Sequence, residues 1–274
     1  MSAAPDVENI VEEVLAKKKY HSIDRDLVTF IAATEIKKRA SLKEAVKATT
    51  GKLHQVAGAY FKETPDYSGY LRELNSLPDV LSDPSCRQFC LNSMQAHAST
   101  HERLPILSEF YATLLADLQP ITSILDLACG FNPLALAWMP LEKDTRYLAA
   151  DIFEDMCEFI RQFFLHFHIA GEARVSNLLT HIPQETVQVA LLLKTLPCLE
   201  QADKESARRI LLGIRAQYVI VSFPVRSIGG REKGMPAHYS SQFEGVLSEL
   251  GWQYQKFQFT SELAYRIEKG NEAQ

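Results

Sequence analysis

Along the first hundred positions apolar residues recur at three- and four-residue spacings, as in Ile10, Val11, Val14 and Leu15 and again in Leu27, Phe30 and Ile31. That periodicity predicts amphipathic helices. Breakers are few: Gly51, Gly58, the stretch ETPDYSG at 63–69, Leu77-Pro78 and Asp83-Pro84 mark the turns. Pro105 is expected to open a further helix with Ile106, Leu107, Phe110, Tyr111, Leu114, Leu115 and Leu118 on one face. After Pro120 the rhythm changes to short apolar runs alternating with helical stretches, the pattern of an α/β unit with a mostly parallel sheet. Strands are expected at 123–127, 146–150, 173–175, 187–193 and 218–223, with a helix at 203–214 capped by Asp203 and another near 239–250. Residues 252–259 and 263–268 read as two strands joined by a tight turn, an antiparallel hairpin closing the sheet. The expected organisation is an all-α N-terminal domain at 1–104 followed by a Rossmann-like α/β domain at 105–274.

Composition narrows the class. With 274 residues, 46% hydrophobic and 23% charged, the chain has the balance of an ordinary globular protein. No apolar run reaches the length of a membrane span, and MSAAPDVENIVEEVL lacks the apolar core of a signal peptide, so a cytoplasmic protein without a membrane partner is expected. The five cysteines (Cys86, Cys90, Cys129, Cys157, Cys198) never form a C-x-x-C pair, which argues against a disulfide framework and against a metal site. The net charge of −5 conceals an asymmetry: residues 17–62 hold eleven Lys and Arg against four acids, a net +7. A basic end on an acidic chain suits a polyanionic partner, although a solvated helical surface would read the same way.

The candidate chemistry begins at ILDLACGFNP (124–133), where a buried strand with an acid near its end leads into small residues that let backbone approach a ligand. The phosphate-binding fingerprint G-x-G-x-x-G is absent, so a nucleoside cofactor without phosphates fits better than a dinucleotide. Asp151, twenty-one residues after Gly130 and at the end of the next apolar run, is placed to accept hydrogen bonds from ribose hydroxyls, or alternatively to cap the following helix. Asn177 and Leu178 at the end of the third strand would meet a base by its edge and its face. The fourth strand ends in LLLKTLPCLE (191–200) without the N/D-P-P-Y type of motif suited to exocyclic amines, and Cys198 lacks the setting of a pyrimidine-attacking nucleophile. From residue type alone, Arg103 reads as a helix-surface residue, His97 as a core histidine, and Lys194, Arg231 and Lys233 as solvated side chains.

Several strings then point to one family. HASTHERLP (97–105), DLACGFNPLA (126–135) and SFPVRSIGGREKGM (222–235), with KLHQVAGAY (52–60), LLLKTLPCLE and HYSSQFE (238–244), resemble the aminoglycoside-resistance 16S ribosomal RNA methyltransferases that modify N7 of guanine 1405, closest to those of aminoglycoside-producing actinomycetes. The resemblance implies a class I S-adenosylmethionine-dependent methyltransferase domain, in which S-adenosylmethionine is converted to S-adenosylhomocysteine. It assigns Tyr60, His97, Ala98, Ser99, Arg103, Ala128, Gly130, Asp151, Asn177, Leu178 and Leu193 to the cofactor, with Arg103 gripping the methionine carboxylate. Lys194, Glu200 and Arg231 support activity by the same resemblance, and no residue acts as acid or base. The 30S subunit and its 16S RNA are the implied partner, held by Lys17, Lys18, Lys19, Lys37, Lys38, Arg39, Lys52, Arg231 and Lys233, and the protein is expected to act as a monomer. Two departures stand out. The family usually has Asp where Asn177 stands, Asn keeping a carbonyl acceptor for the adenine amine, and an Arg near His181 and Ile182 is missing. A small-molecule O- or N-methyltransferase and a non-catalytic RNA-binding relative remain the alternatives.

Overall fold

The computed structural model describes residues 5–61, 63–225 and 235–269. Helices α1 (Pro5–Leu15), α2 (Arg25–Ile36) and α3 (Leu42–Val56) pack on one another through Ile10, Val14, Leu27, Ile31, Ala45 and Leu53, all buried. The starts of α2 and α3 are set by side-chain caps: Asp24 accepts the Leu27 N–H and Ser41 the Glu44 N–H. Helices α4 (Tyr67–Leu74), α5 (Pro84–Met94) and α6 (Ala98–Arg103) pack instead toward the α/β layer, α4 against α8 (Glu154–His166) and α5 against the 3-10 turn Asn132–Trp138.

Seven strands form one sheet: β1 (Ser123–Leu127), β2 (Arg146–Asp151), β3 (Gly171–Val175), β4 (Val187–Leu193), β5 (Ala216–Pro224), β6 (Gln253–Gln258) and β7 (Glu262–Glu268). Their order is β3-β2-β1-β4-β5-β7-β6, with the first five parallel and β7 inserted antiparallel between β5 and β6. The apolar runs become strands buried on both faces; Leu125 pairs Leu148 on one side and Ala190 on the other. The edge strand β6 carries Gln253, Gln255, Lys256 and Gln258, a polar edge that discourages pairing with another chain. Two helix starts differ from expectation. Pro105 lies in a 3-10 turn, and α7 (Leu107–Leu115) begins after it. Asp203 accepts the Glu205 N–H within a preceding turn and pairs with Arg209, so α10 (Ser206–Gly213) starts three residues later than its cap-like Asp suggests. Among the described residues no helix is long and apolar enough to cross a membrane.

The strand order reverses between β1 and β4, the switch point at which open α/β sheets bind ligands. The N-terminal helices reach the same place. Asp24 donates its N–H to the Ile152 carbonyl at 2.7 Å, Glu154 donates to the Ser22 carbonyl at 2.8 Å, and Phe61 bridges to His97. Phe131 is the aromatic hub of this junction, with its ring 5.8 to 6.2 Å from those of Phe61, Tyr67, Tyr70, His97 and Phe159. Replacing Phe131 with Ala removes the ring that three layers share, and urea denaturation is expected to show a loss of about 3–5 kcal/mol. A loss below 1 kcal/mol would mean that the junction collapses onto the gap.

Candidate active site

The turn after β1 is drawn tightly toward β2. Ala128 and Gly130 both adopt left-handed backbone, with φ of 50° and 52°, and the Gly130 N–H donates to Asp151 Oδ2 at 2.9 Å. A Cβ on Gly130 would lie 2.6 Å from the His97 ring, so only glycine fits between the turn and α6. Asp151 also accepts the Ile152 N–H, and it does not cap α8, whose N-cap is Phe153. Burial pushes the Asp151 carboxyl up to about 6 against these hydrogen bonds. Asp126, deeper in β1, accepts from the Tyr147 hydroxyl and the Asn132 amide; burial raises it to about 7. It is a framework group.

His97 stacks on Tyr60, with ring centroids 5.2 Å apart and planes within 6°. Burial, together with the charges of Arg103 and Lys194, holds its pKa down at about 3, so the ring is neutral. The Tyr60 hydroxyl donates to the Lys194 carbonyl at 2.9 Å and lies 2.8 Å from Cys198 Sγ. Burial raises the Cys198 thiol, the opposite of what a thiolate nucleophile requires. Asn177 Oδ1 accepts the Leu179 N–H at 3.0 Å and keeps a second lone pair as an acceptor, while its Nδ2 has no hydrogen-bond partner among the described residues.

Arg103, expected to grip the methionine carboxylate, is engaged by partners within the protein. The guanidinium is 1% exposed, off the cavity wall, and forked onto the wholly buried Glu262, with a further bond to Asn132 Oδ1 at 2.9 Å. Burial alone would favour the neutral guanidine; the Glu262 charge more than offsets it and keeps Arg103 protonated. Glu262 in turn stays ionised, held below its usual range by Arg103 and Lys194 despite burial. Lys194, at the left-handed φ of 58° just past β4, is 3% exposed, with its ammonium 2.8 Å from Glu102 and 3.2 Å from Glu262. It is therefore no solvated strand-end lysine. Glu262 is the residue that sequence reasoning missed. Its only signal is an acid opening a strand whose next three positions, Leu263, Ala264 and Tyr265, are apolar.

These groups surround a cavity of about 670 Å³, open on one side, across the ends of β1 to β4. Tyr60, His97, Ser99, Ala128, Asp151, Asn177, Leu178 and Leu193 line it; Ala98 and Gly130 stand behind the wall, and Glu200 lies partly exposed at the end of α9 (Leu196–Leu199). Leu27, Val56 and Phe61 complete it from the N-terminal helices, a contribution the sequence did not announce. Its mixed lining suits an adenosyl group, and two buried side-chain nitrogens of its lining residues, His97 Nδ1 and Asn177 Nδ2, lack hydrogen-bond partners among the described residues.

The basic residues lie around the helical domain. Lys17 bonds Thr50, Lys19 approaches His54, Lys38 and Arg39 share the buried Glu35, and Lys52 reaches the Gln201 carbonyl; Lys18 and Lys37 are exposed. Arg231 and Lys233 lie outside the described residues. Among the described residues no cluster of His, Cys, Asp or Glu could hold a metal ion.

A parallel sheet with an inserted antiparallel strand, a glycine turn after β1 and a ribose-type acid ending β2 define a class I S-adenosylmethionine-dependent methyltransferase. Within that class, the chain belongs to the ribosomal RNA methyltransferase (FmrO) family, whose model matches residues 16–266. It is 35% identical to a 16S rRNA (guanine(1405)-N(7))-methyltransferase of Micromonospora echinospora, over 98% of this chain and 99% of that one. A Serratia marcescens protein of the same name is 32% identical over 96% of this chain and 98% of its own. The crystal structure of the 16S rRNA methyltransferase RmtF in complex with S-adenosyl-L-homocysteine matches with TM-score 0.84 and 30% identity, covering 97% of this chain and 99% of that one.

Gly130→Ala is expected to cost about 1–2 kcal/mol from the left-handed backbone alone. Because the new methyl also displaces His97, calorimetry should show S-adenosylhomocysteine binding weakened at least about tenfold. Ionised Asp151 offers acceptors to both ribose hydroxyls; the protonated acid has to donate one. Affinity should therefore hold above pH 6 and fall as pH is lowered through about 6, the pKa of the free protein. Asp151→Asn should bind more weakly at pH 8 and lose that slope. An unchanged slope in the variant would assign the titration elsewhere.

Proposed function

We propose that this protein transfers a methyl group from S-adenosylmethionine to N7 of guanine 1405 in the 16S RNA of the assembled 30S subunit. The observation that carries the reading is a match along nearly the whole chain to relatives bearing that activity in their names, supported by a cavity lined by Tyr60, His97, Asp151 and Leu193 at the sheet's switch point. His97, Ser99, Ala128, Asp151, Asn177, Leu178 and Leu193 would hold the cofactor, with Tyr60 covering it from the helical domain and Gly130 and Ala98 shaping the wall. Arg103 acts from beneath by fixing Glu262. Bound there, S-adenosylmethionine supplies an electrophilic methyl group on a sulfonium sulfur.

Guanine N7 carries a free lone pair, so no proton has to leave before attack and the chain needs no general base. Its work is positioning: the base must leave its stack and present N7 in line with the methyl group. The surroundings suit a cationic donor. His97 is neutral, and the charges of Arg103 and Lys194 are matched by Glu262 and Glu102. Lys17, Lys18, Lys19, Lys37, Lys38, Arg39 and Lys52 of the helical domain, with Arg231 and Lys233, would bind phosphates of the folded subunit. Lys194, through its pairing with Glu262, and Glu200, at the end of α9, would support activity. The protein would act as a cytoplasmic monomer.

Borohydride and aniline treatment of 16S RNA from cells expressing the protein should break the strand at guanine 1405. Those cells should resist gentamicin and kanamycin and remain sensitive to apramycin. No break at that site in treated 30S subunits would overturn the assignment. Replacing Lys18 and Lys37 with Glu together should weaken 30S binding and flatten its salt dependence, while S-adenosylhomocysteine affinity stays unchanged. An equal loss of both affinities would remove these lysines from RNA docking.

A further inference from the structure

We propose that the crest of α3 around Gly51 is where a sugar-phosphate strand of the folded 16S RNA lies against the protein. Gly51 admits the strand to the helix backbone, while Lys43 and Lys47, with Lys17 and Lys19 beside them, hold its phosphates. The proposal rests on the reading that the protein acts on the 30S subunit. It begins with a glycine that the fold does not use. Gly51 lies inside the fifteen-residue helix α3, where a glycine weakens the helix because it has the most backbone freedom to lose. Its backbone is ordinary helix and not the left-handed conformation that Gly130 and Gly251 adopt. A Cβ at Gly51 would meet no atom within 4 Å. Neither conformation nor internal packing calls for glycine there, so what its bare backbone leaves room for lies outside the chain.

The surroundings say what that is. Ala45, Val46, Thr49, Leu53 and Val56 form the buried face of α3, and the helical repeat puts Lys43, Lys47, Gly51 and His54 in an exposed row on the other side. Lys17 reaches this row through its bond to Thr50 Oγ1 at 2.8 Å, and Lys19 through its approach to His54 at 3.4 Å. Other cations of the domain are matched: Arg25 pairs with Glu8 and Glu12, and Lys38 and Arg39 with Glu35, whereas Lys17, Lys19, Lys43 and Lys47 have no carboxylate partner among the described residues. Lys52, also on α3, is turned to the Gln201 carbonyl. The one acid of α3, Glu44, accepts the Ala40 N–H at 3.2 Å. Four lysines without counter-charge around an open stretch of helix backbone fit an extended polyanion whose own backbone must come close, which is the chemistry of a nucleic-acid strand.

Binding of the full-length protein to purified 30S subunits over a range of salt concentrations tests this. Gly51→Gln installs a better helix former in open space, so the melting temperature should rise by about 1–2 °C. Its 30S affinity should nevertheless fall about tenfold or more, because a side chain then stands where the strand lies, with S-adenosylhomocysteine affinity unchanged. Gly245 supplies the control. It is exposed in α11 (Met235–Leu250), a Cβ there would also meet nothing within 4 Å, and that helix carries no lysine or arginine. Gly245→Gln should raise the melting temperature likewise and leave 30S binding as it was. Lys43→Gln combined with Lys47→Gln should weaken 30S binding and lower the slope of log affinity against log salt by about two. Wild-type 30S affinity in Gly51→Gln, or an equal loss in Gly245→Gln, would overturn the proposal. Failure of the wild-type protein to bind 30S subunits would overturn the functional reading and this proposal together. The expected loss in Gly51→Gln alone, without a break at guanine 1405 in subunits treated with wild-type enzyme, would keep the docking surface and remove the target nucleotide.

Discussion

The buried pairing of Glu262 with Arg103 and Lys194 is the constraint around which the rest is arranged. One carboxylate with no exposure receives the guanidinium fork from α6, the ammonium from the end of β4 and the Ser222 hydroxyl from β5. Removing one member of such a set leaves an uncompensated charge in a dry interior, a loss of about 3–5 kcal/mol. The pairing also explains why β7 lies between β5 and β6, since that insertion carries Glu262 to the strand end beside the cavity. Lys194 holds left-handed backbone that a side chain ordinarily avoids, and its N–H bonds to the Ser222 carbonyl help fix it there. The wall beneath the cofactor is therefore set by electrostatics reaching across four elements.

A second consequence concerns the helical domain, which supplies part of the cofactor cavity as well as a basic surface. Tyr60 stacks on His97 and bonds the Lys194 carbonyl, while Leu27 and Val56 close the apolar side. Through His97 this contact bears on Gly130, and through Lys194 on the charged set below. A shift of α2 and α3 would therefore be felt along the cavity wall.

Much of the fold was legible in the sequence because parallel strands buried on both faces must be apolar runs. The expected 123–127 and 187–193 match β1 and β4. Asp203 misled because an Asp caps a turn by the same hydrogen bond with which it caps a helix. In the site, Asp151 and the glycine turn could be read from spacing, since the strand-turn-strand unit fixes it. Arg103 could be found but its partner could not: Glu262 lies 159 residues away, and nothing local says which buried cation an acid will meet.

Charge balance also limits the chemistry. A sulfonium donor brings a positive charge to the cavity and N7 methylation leaves one on the base, so an unpaired cation in the wall would oppose both reactant and product. The neighbouring cations are spent on carboxylates, and burial keeps His97 neutral. Burial keeps the Cys198 thiol protonated, and Asp126 is engaged by Tyr147 and Asn132 below the cavity. What the wall offers a target base is shape and direction, and a lone pair that needs no deprotonation is the nucleophile for which that suffices.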